Sequence, residues 1–311
     1  MAVDWADYEA FAWSNAKQDP MDGQERAKLA ARAADLLELD AADREAVWGH
    51  ASPPGRYAAT VIRVAPQVSH RFRPAADRAR IDEVGLKLFK LTPDAARAAR
   101  RACRFHNREL GRLPGLPNPR VQRSISAGLQ PDGCGPSRGY VVQEWVRGAS
   151  LEDCLRVTWT HSPVDGALVR GLLAQLFGDI VVPLWQAGTV WWDFRDANFC
   201  YDAQDGLLRV IDVDSLGAYA DEILRTPQRW QARDKGRATA LARLRRMSVR
   251  LLGARQVVAA SKIERGLQAA WREFEPALRR LGHAEGAGDA ARVALGRFID
   301  TLERMGLLGN P

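Results

Sequence analysis

Between Trp191 and Asp214 the chain reads WWDFRDANFCYDAQDGLLRVIDVD, and four of its side chains offer oxygen in a pattern suited to handling a proton and a hard cation. Asp193 and Asn198 stand five residues apart, Asp212 follows fourteen after Asn198, and Asp214 lies two further on. A carboxylate can take the proton of an attacking hydroxyl, and amide and carboxylate oxygens are the ligands magnesium prefers. The apolar run Leu207 to Ile211, interrupted only by Arg209, follows the turn residues Asp205-Gly206. It predicts a hairpin that delivers Asp212 to a strand end, facing the loop of Asp193 and Asn198. A helix cap followed by an acidic hairpin would use the same residues. Asp212 and Asp214, however, flank a single Val where a strand end should be apolar, and carboxylates there cost free energy unless they bind a cation or donors.

The elements that must position these groups lie around them. Upstream, Glu83 to Phe89 (EVGLKLF) is a short apolar strand with Lys87 inside it, and Lys90 sits at its frayed end. Tyr57 to Val64 is a β-branched run that predicts the preceding strand. Thr92-Pro93-Asp94 is a helix start, opening a long basic helix that ends near Gly111 and carries Glu109. Ten residues after Glu109 comes Pro119, in the segment GLPNPRV. Tyr140 to Asp153 (YVVQEWVRGASLED) reads as a strand, a turn at Gly148 and a helix opened by Ser150. Leu168 to Gly188 is an apolar helix leading into the Asp193 loop, its use as a membrane segment opposed by Arg170, Asp179 and Pro183. From Asp234 to about Gly282 the pattern is helical, with Leu241, Leu244, Val249, Leu251 and Leu252 as core candidates, and one more amphipathic helix runs from a cap at Asp289 to Leu308.

In order and spacing these elements resemble the protein-kinase-like superfamily, as an atypical bacterial member. The resemblance implies an α+β, two-lobed fold: a small, mainly antiparallel β lobe with one key helix, and a larger helical lobe. It implies residues 1–48 as a helical extension, 49–146 as the first lobe and 147–311 as the second, with an atypical helical C-terminus. ATP and magnesium are the implied cofactors. Asp193 would be the catalytic base, and Asn198 and Asp212 the metal ligands, with Asp214 assisting. Lys87 would contact the α- and β-phosphates and be held there by Glu109. Gln143 would be the gatekeeper, and Glu144 and Val146 would supply backbone contacts to the adenine edge.

Several departures qualify what carries over. Gly49 and Gly55 enclose HASPP, whose prolines cannot give the close backbone approach that glycines give a phosphate. Asp212-Val213-Asp214 stands in place of D-F-G, and no A-P-E sequence lies in the 22 residues between Asp212 and Asp234, which leaves little room for a loop that docks a peptide. Arg195, two residues after Asp193, stands where protein kinases place a basic residue to steady the transferring phosphoryl group, while aminoglycoside-type kinases usually have His. The resemblance therefore favours a Ser/Thr protein substrate and leaves open a kinase for a small molecule or cell-envelope sugar. A nucleotide-binding pseudokinase is a third reading, disfavoured by the joint presence of Lys87, Glu109, Asp193, Asn198 and Asp212.

Composition sets outer limits. At 311 residues, 46% hydrophobic, the chain can hold a two-lobed unit. The net charge of +7 is spread through helices, including Arg97, Arg100, Arg101 and Arg104, and later Arg243, Arg245, Arg246, Arg250 and Arg255. Such runs read as solvated faces, with no aromatic-interleaved platform for a specific nucleic acid. No apolar run of membrane-spanning length and no secretory h-region is read, and four dispersed Cys read as reduced thiols, so a cytoplasmic location is expected. The Arg- and Ala-rich, Lys-poor usage points to a high-GC bacterial genome, and the pattern fixes no oligomeric state.

Trp191 and Trp192 occupy the positions where the family carries the His and Arg before the catalytic Asp, so no arginine there receives a phosphorylated loop. The protein should be active as synthesised, or controlled by its N-terminal extension or a partner. Phosphatase treatment should leave ATP turnover unchanged; a fall to background, reversed by rephosphorylation between Asp214 and Asp234, would contradict this.

Overall fold

Period-two and helical apolar patterns alternate along the chain, and the computed structural model gathers them into two units. It describes residues 31, 58–64, 83–90, 95–96, 98–100, 102–103, 118–132, 135–187, 194–212 and 228–309. The expectations for residues 1–48, the Gly49–Gly55 loop, Thr92-Pro93-Asp94, Glu109, Trp191, Trp192, Asp193, Asp214 and the side chain of Asp234 lie outside the described residues.

The first unit holds the described residues up to 103 and those of 122–146. It is built on β1 (Ala58–Arg63), β2 (Val84–Phe89), β3 (Ser124–Asp132) and β4 (Gly135–Glu144), an antiparallel sheet in the order β1-β2-β4-β3. β2 is an inner strand and is buried along its whole length. Phe89 and Val141 pack on Ala95, Ala98, Ala99 and Ala102 of a helical segment. Small residues let that helix come close: a Cβ on Gly139 of β4 would sit 2.1 Å from the Cβ of Ala99.

The second unit holds the described residues of 118–121 and 147–309. β5 (Ala149–Ser150), β6 (Phe199–Asp202) and β7 (Leu207–Val210) form a small antiparallel sheet. Helix α1 runs through Leu151–Asp153, widens to a π-helical segment at Cys154–Thr158 and closes at Trp159–His161. α2 (Gly166–Gln186) also contains a π-helical segment, Gln175–Val181, and α3 (Gln228–Gly253), α4 (Ala260–Arg280) and α5 (Ala287–Arg304) complete the unit. By length and composition α2 could cross a membrane, despite Arg170, Asp179 and Pro183. Here it is a core helix, with Val169, Leu172, Leu173, Leu176, Phe177, Ile180 and Val181 fully buried. The Phe177 ring lies 5.8, 5.0 and 5.7 Å from those of Trp271, Phe274 and Phe298, joining α2 to α4 and α5. Arg237 of α3 is buried, its guanidinium 5.5 Å from the centroid of the Trp185 ring, and donates to the carbonyls of Arg279 (2.9 Å) and Leu281 (2.6 Å) at the end of α4.

Two boundaries and one core assignment differ from those the sequence predicts. The helical stretch from 234 to 282 is two helices, parted at 254–259. Met247 and Ser248 are buried where Val249 is only half-buried. Asp289 lies inside the first turn of α5, whose cap is Gly286 at φ 70°, a conformation glycine takes without strain.

Pro183 explains why residues 118–121 join the helical unit. It has no N–H to give the carbonyl of Asp179, four residues earlier, and its ring crowds that carbonyl. The α2 backbone widens before the proline, and the buried Asn118 donates its Nδ2 to the Asp179 carbonyl at 3.1 Å. Asn118 Oδ1 accepts from the Arg120 N–H at 2.9 Å, and the Arg120 guanidinium pairs with the Asp179 carboxylate at 3.0 Å. Asn118→Ala should destabilise the protein by about 1–3 kcal/mol, the cost of a buried polar group left without its partner. Pro183→Ala restores a backbone donor, so the Asn118→Ala penalty measured by chemical denaturation should shrink in that background; strict additivity of the two changes would refute the repair.

Candidate functional site

The described part of the loop that carries Asn198 is anchored by Phe194. Phe194 is buried, stacked on Phe199 at 6.2 Å and edge-on to Trp185 at 6.2 Å. With this ring pinned, Arg195 takes an extended conformation and a 3₁₀ turn, Asp196–Asn198, brings the chain into β6. Asn198 is 4% exposed, and its N–H donates to the Arg195 carbonyl at 2.8 Å.

The predicted hairpin is present. Asp202 pairs with Leu207, and Asp205 Oδ1 receives the Leu207 N–H at 2.8 Å across the tight loop. Gln175, where the π-helical segment of α2 begins, grips both sides: its Nε2 donates to the Gly206 carbonyl at 2.9 Å and its Oε1 accepts the Leu208 N–H at 2.8 Å. Arg120 accepts the Val210 N–H at 2.7 Å, and Asn198 accepts the Ile211 N–H at 2.9 Å. β7 therefore stops at Val210, and Asp212 lies beyond the strand rather than at its end, half-buried at φ 59°. Asp tolerates this left-handed conformation better than most residues, and it persists where the surroundings fix it. Asn198 and Asp212 thus belong to hydrogen-bonded neighbouring segments.

Their donor set fits magnesium. One amide and one carboxylate oxygen suit an ion held by few protein groups together with phosphates and water, and among the described residues no trio of His, Cys, Asp or Glu side chains converges.

In the first unit, Lys87 is centred in the sheet, opposite Val61 and Val141, and is 8% exposed, whereas Lys90 beyond the strand is half-exposed. The Lys87 Nζ lies 5.4 Å from the centroid of the Phe89 ring, a cation–π contact two residues along the same face. Gln143 pairs with Gly85 and Ser124 and is half-buried. Glu144 is buried, its N–H donating to the Arg123 carbonyl at 2.8 Å and its side chain accepting the Arg123 N–H at 3.1 Å. Its carbonyl accepts from Gln122 Nε2 at 2.9 Å. Val146 is buried after it. In the second unit, Gly148 turns the chain at φ 102°, where a Cβ would meet the Tyr201 carbonyl oxygen at 2.3 Å.

Sequence reasoning missed the buried Asp196, which pairs with Arg250, and missed that Arg243, Arg246 and Arg250 face the Asp196 loop. The signal was there in the spacing of three and four residues, which puts all three on one face of a helix. Cys103, Cys154 and Cys200 are buried free thiols. Burial, then Cys200 and Asp153, push the Cys154 thiol far above its ordinary range, so it is a packing group and not a nucleophile.

No family model and no curated protein matches the chain. Among solved structures, the crystal structure of Rad53 1-466 in complex with AMP-PNP is similar with a TM-score of 0.47 and 16% sequence identity, over 89% of this chain and 67% of that one.

Phe194→Ala should cost about 3–5 kcal/mol of stability, as for other buried aromatic truncations, and Phe194→Leu markedly less. Thermal unfolding measures both, and equal losses would show that ring packing does not hold this loop.

Proposed function

We propose that the chain is an ATP-dependent phosphotransferase of the protein-kinase-like superfamily, two-lobed, moving the γ-phosphoryl group of ATP to a hydroxyl. The observation that carries the reading is the Ile211 to Asn198 hydrogen bond, which joins the segments of two oxygen ligands fourteen residues apart in sequence. Asn198 and Asp212, with Asp214 assisting, would hold magnesium, which would supply positive charge to offset that of the nucleotide phosphates.

The other roles fall to residues of this chain. Asp193 accepts the proton of the acceptor hydroxyl as the new O–P bond forms, while the bond from the γ-phosphorus to its bridging oxygen breaks and its electron pair leaves with ADP. Lys87, oriented by Glu109, serves the α- and β-phosphates, and its burial supports that role over Lys90. Glu144 and Val146 offer backbone groups to the adenine edge beside Gln143. Arg195 steadies the transferring group. A Ser or Thr of a protein is the acceptor the motif pattern favours; a small-molecule acceptor is the second reading, favoured by the basic cavity next to Arg195.

ATP affinity by calorimetry, with and without magnesium, tests the reading. Asp212→Ala should weaken magnesium-dependent binding by at least about 10- to 100-fold, since altering even outer-shell partners of a metal costs that much. Lys87→Ala should lower turnover far more than stability. Unchanged ATP–magnesium affinity in Asp212→Ala would overturn the assignment.

A further inference from the structure

A cavity of about 550 Å³ lies in the second unit, walled by Phe194, Arg195, Asp196 and Ala197 of the site loop, by Glu152 of α1, and by Arg243, Arg246, Met247 and Arg250 of α3. Among the described residues, four guanidinium groups and two carboxylates line it. One of the carboxylates, Asp196, is buried and already pairs with Arg250. Arg243, Arg246 and Arg250 sit at successive turns of one helix face around the buried Met247. A solvated basic face would spread its charges over a convex surface. Here like charges line a concavity, an arrangement that a bound anion offsets.

We propose that this cavity binds a phosphate-bearing small molecule, whose phosphate is held by Arg243 and Arg246 and whose hydroxyl is the acceptor; this rests on the phosphotransferase reading. Guanidinium forks match the tetrahedral oxyanion of a phosphate monoester with paired charge-assisted hydrogen bonds. The volume falls in the range of small-molecule sites. Arg195 contributes from the other wall and links the anion site to the residues next to Asp193 in the chain. The acceptor is thus defined by two features, a phosphate and a free hydroxyl, the chemistry of a phosphorylated sugar or polyol.

The test uses the full chain in metal-free buffer with EDTA and glycerol 3-phosphate as the calorimetric probe, a phosphoserine peptide and an unphosphorylated acidic peptide serving as comparison ligands. Wild type should bind glycerol 3-phosphate more tightly than either peptide. Arg243→Gln and Arg246→Gln should each weaken that binding by about tenfold, the worth of one charge-assisted contact, and Arg246→Lys should recover only part of it. Arg246→Gln alters an exposed position, so this variant keeps the test readable if Arg243→Gln does not fold. Equal affinity in wild type and Arg246→Gln, no binding by wild type, or tighter binding of either peptide would each overturn the proposal. Asp212→Ala should keep glycerol 3-phosphate binding. Retained ATP–magnesium affinity in that variant would refute the phosphotransferase reading alone, and retained Arg246-dependent binding of the probe would still support the anion site.

Discussion

A proline in the last turn of a core helix constrains how the second unit is assembled around it. Pro183 cannot donate to the Asp179 carbonyl, so that hydrogen bond has to come from outside the helix ladder. Asn118 meets the need from outside the helix, at 3.1 Å. Once Asn118 is fixed, Arg120 and Val121 are fixed as well, and it is on them that β7 finishes: the Arg120 carbonyl takes the Val210 N–H, and Val121 forms a parallel bridge to Val210. Two residues later comes Asp212. One missing hydrogen bond in α2 is thereby coupled, through three residues of the GLPNPRV segment, to the placement of a candidate metal ligand.

The hairpin is held from the opposite side by the same helix. Gln175 uses both ends of its amide on Gly206 and Leu208, at the point where α2 widens. A side-chain amide that donates and accepts at once fixes strand register as well as position, because slipping β7 by one residue would break both bonds. β6 is fixed separately, by Phe194 and Phe199 stacking under the loop. Asn198 and Asp212 are each held by their own packed element, and the Ile211 to Asn198 bond closes the remaining gap. Such double support is what a metal site requires, since its ligands must keep their geometry without help from a rigid protein cage.

Much of this was legible in the sequence because it rests on local rules. Asp205-Gly206 between apolar runs predicts the hairpin, Ser150 predicts the start of α1, and the short apolar run around Lys87 predicts its strand. What was not legible depends on contacts between distant segments. Nothing within residues 111–121 shows that Asn118 serves a proline 65 positions away. The cap of α5 was misassigned to Asp289, because a left-handed glycine competes with a side-chain cap and composition alone does not rank them. Breaking 234–282 into two helices likewise escaped a periodicity that runs nearly in phase across the gap.

The arginines of α3 show the same limit on the side of chemistry. In sequence, Arg243, Arg245, Arg246 and Arg250 make one basic run, and a solvated face is the ordinary reading of such a run. Folding sorts them: Arg243, Arg246 and Arg250 line the cavity beside Phe194 to Ala197, and Arg245 does not. The charge is the same in either setting, but its consequence is not. On an open surface water and salt screen each guanidinium, whereas within a concavity of about 550 Å³ the groups act on one another and on whatever enters. Asp196 answers part of that charge by pairing with Arg250, which also ties the candidate metal loop to α3. The same ion pair therefore serves both the geometry of the loop and the electrostatics of the cavity, so the oxygen ligands of one and the cationic wall of the other are parts of a single framework.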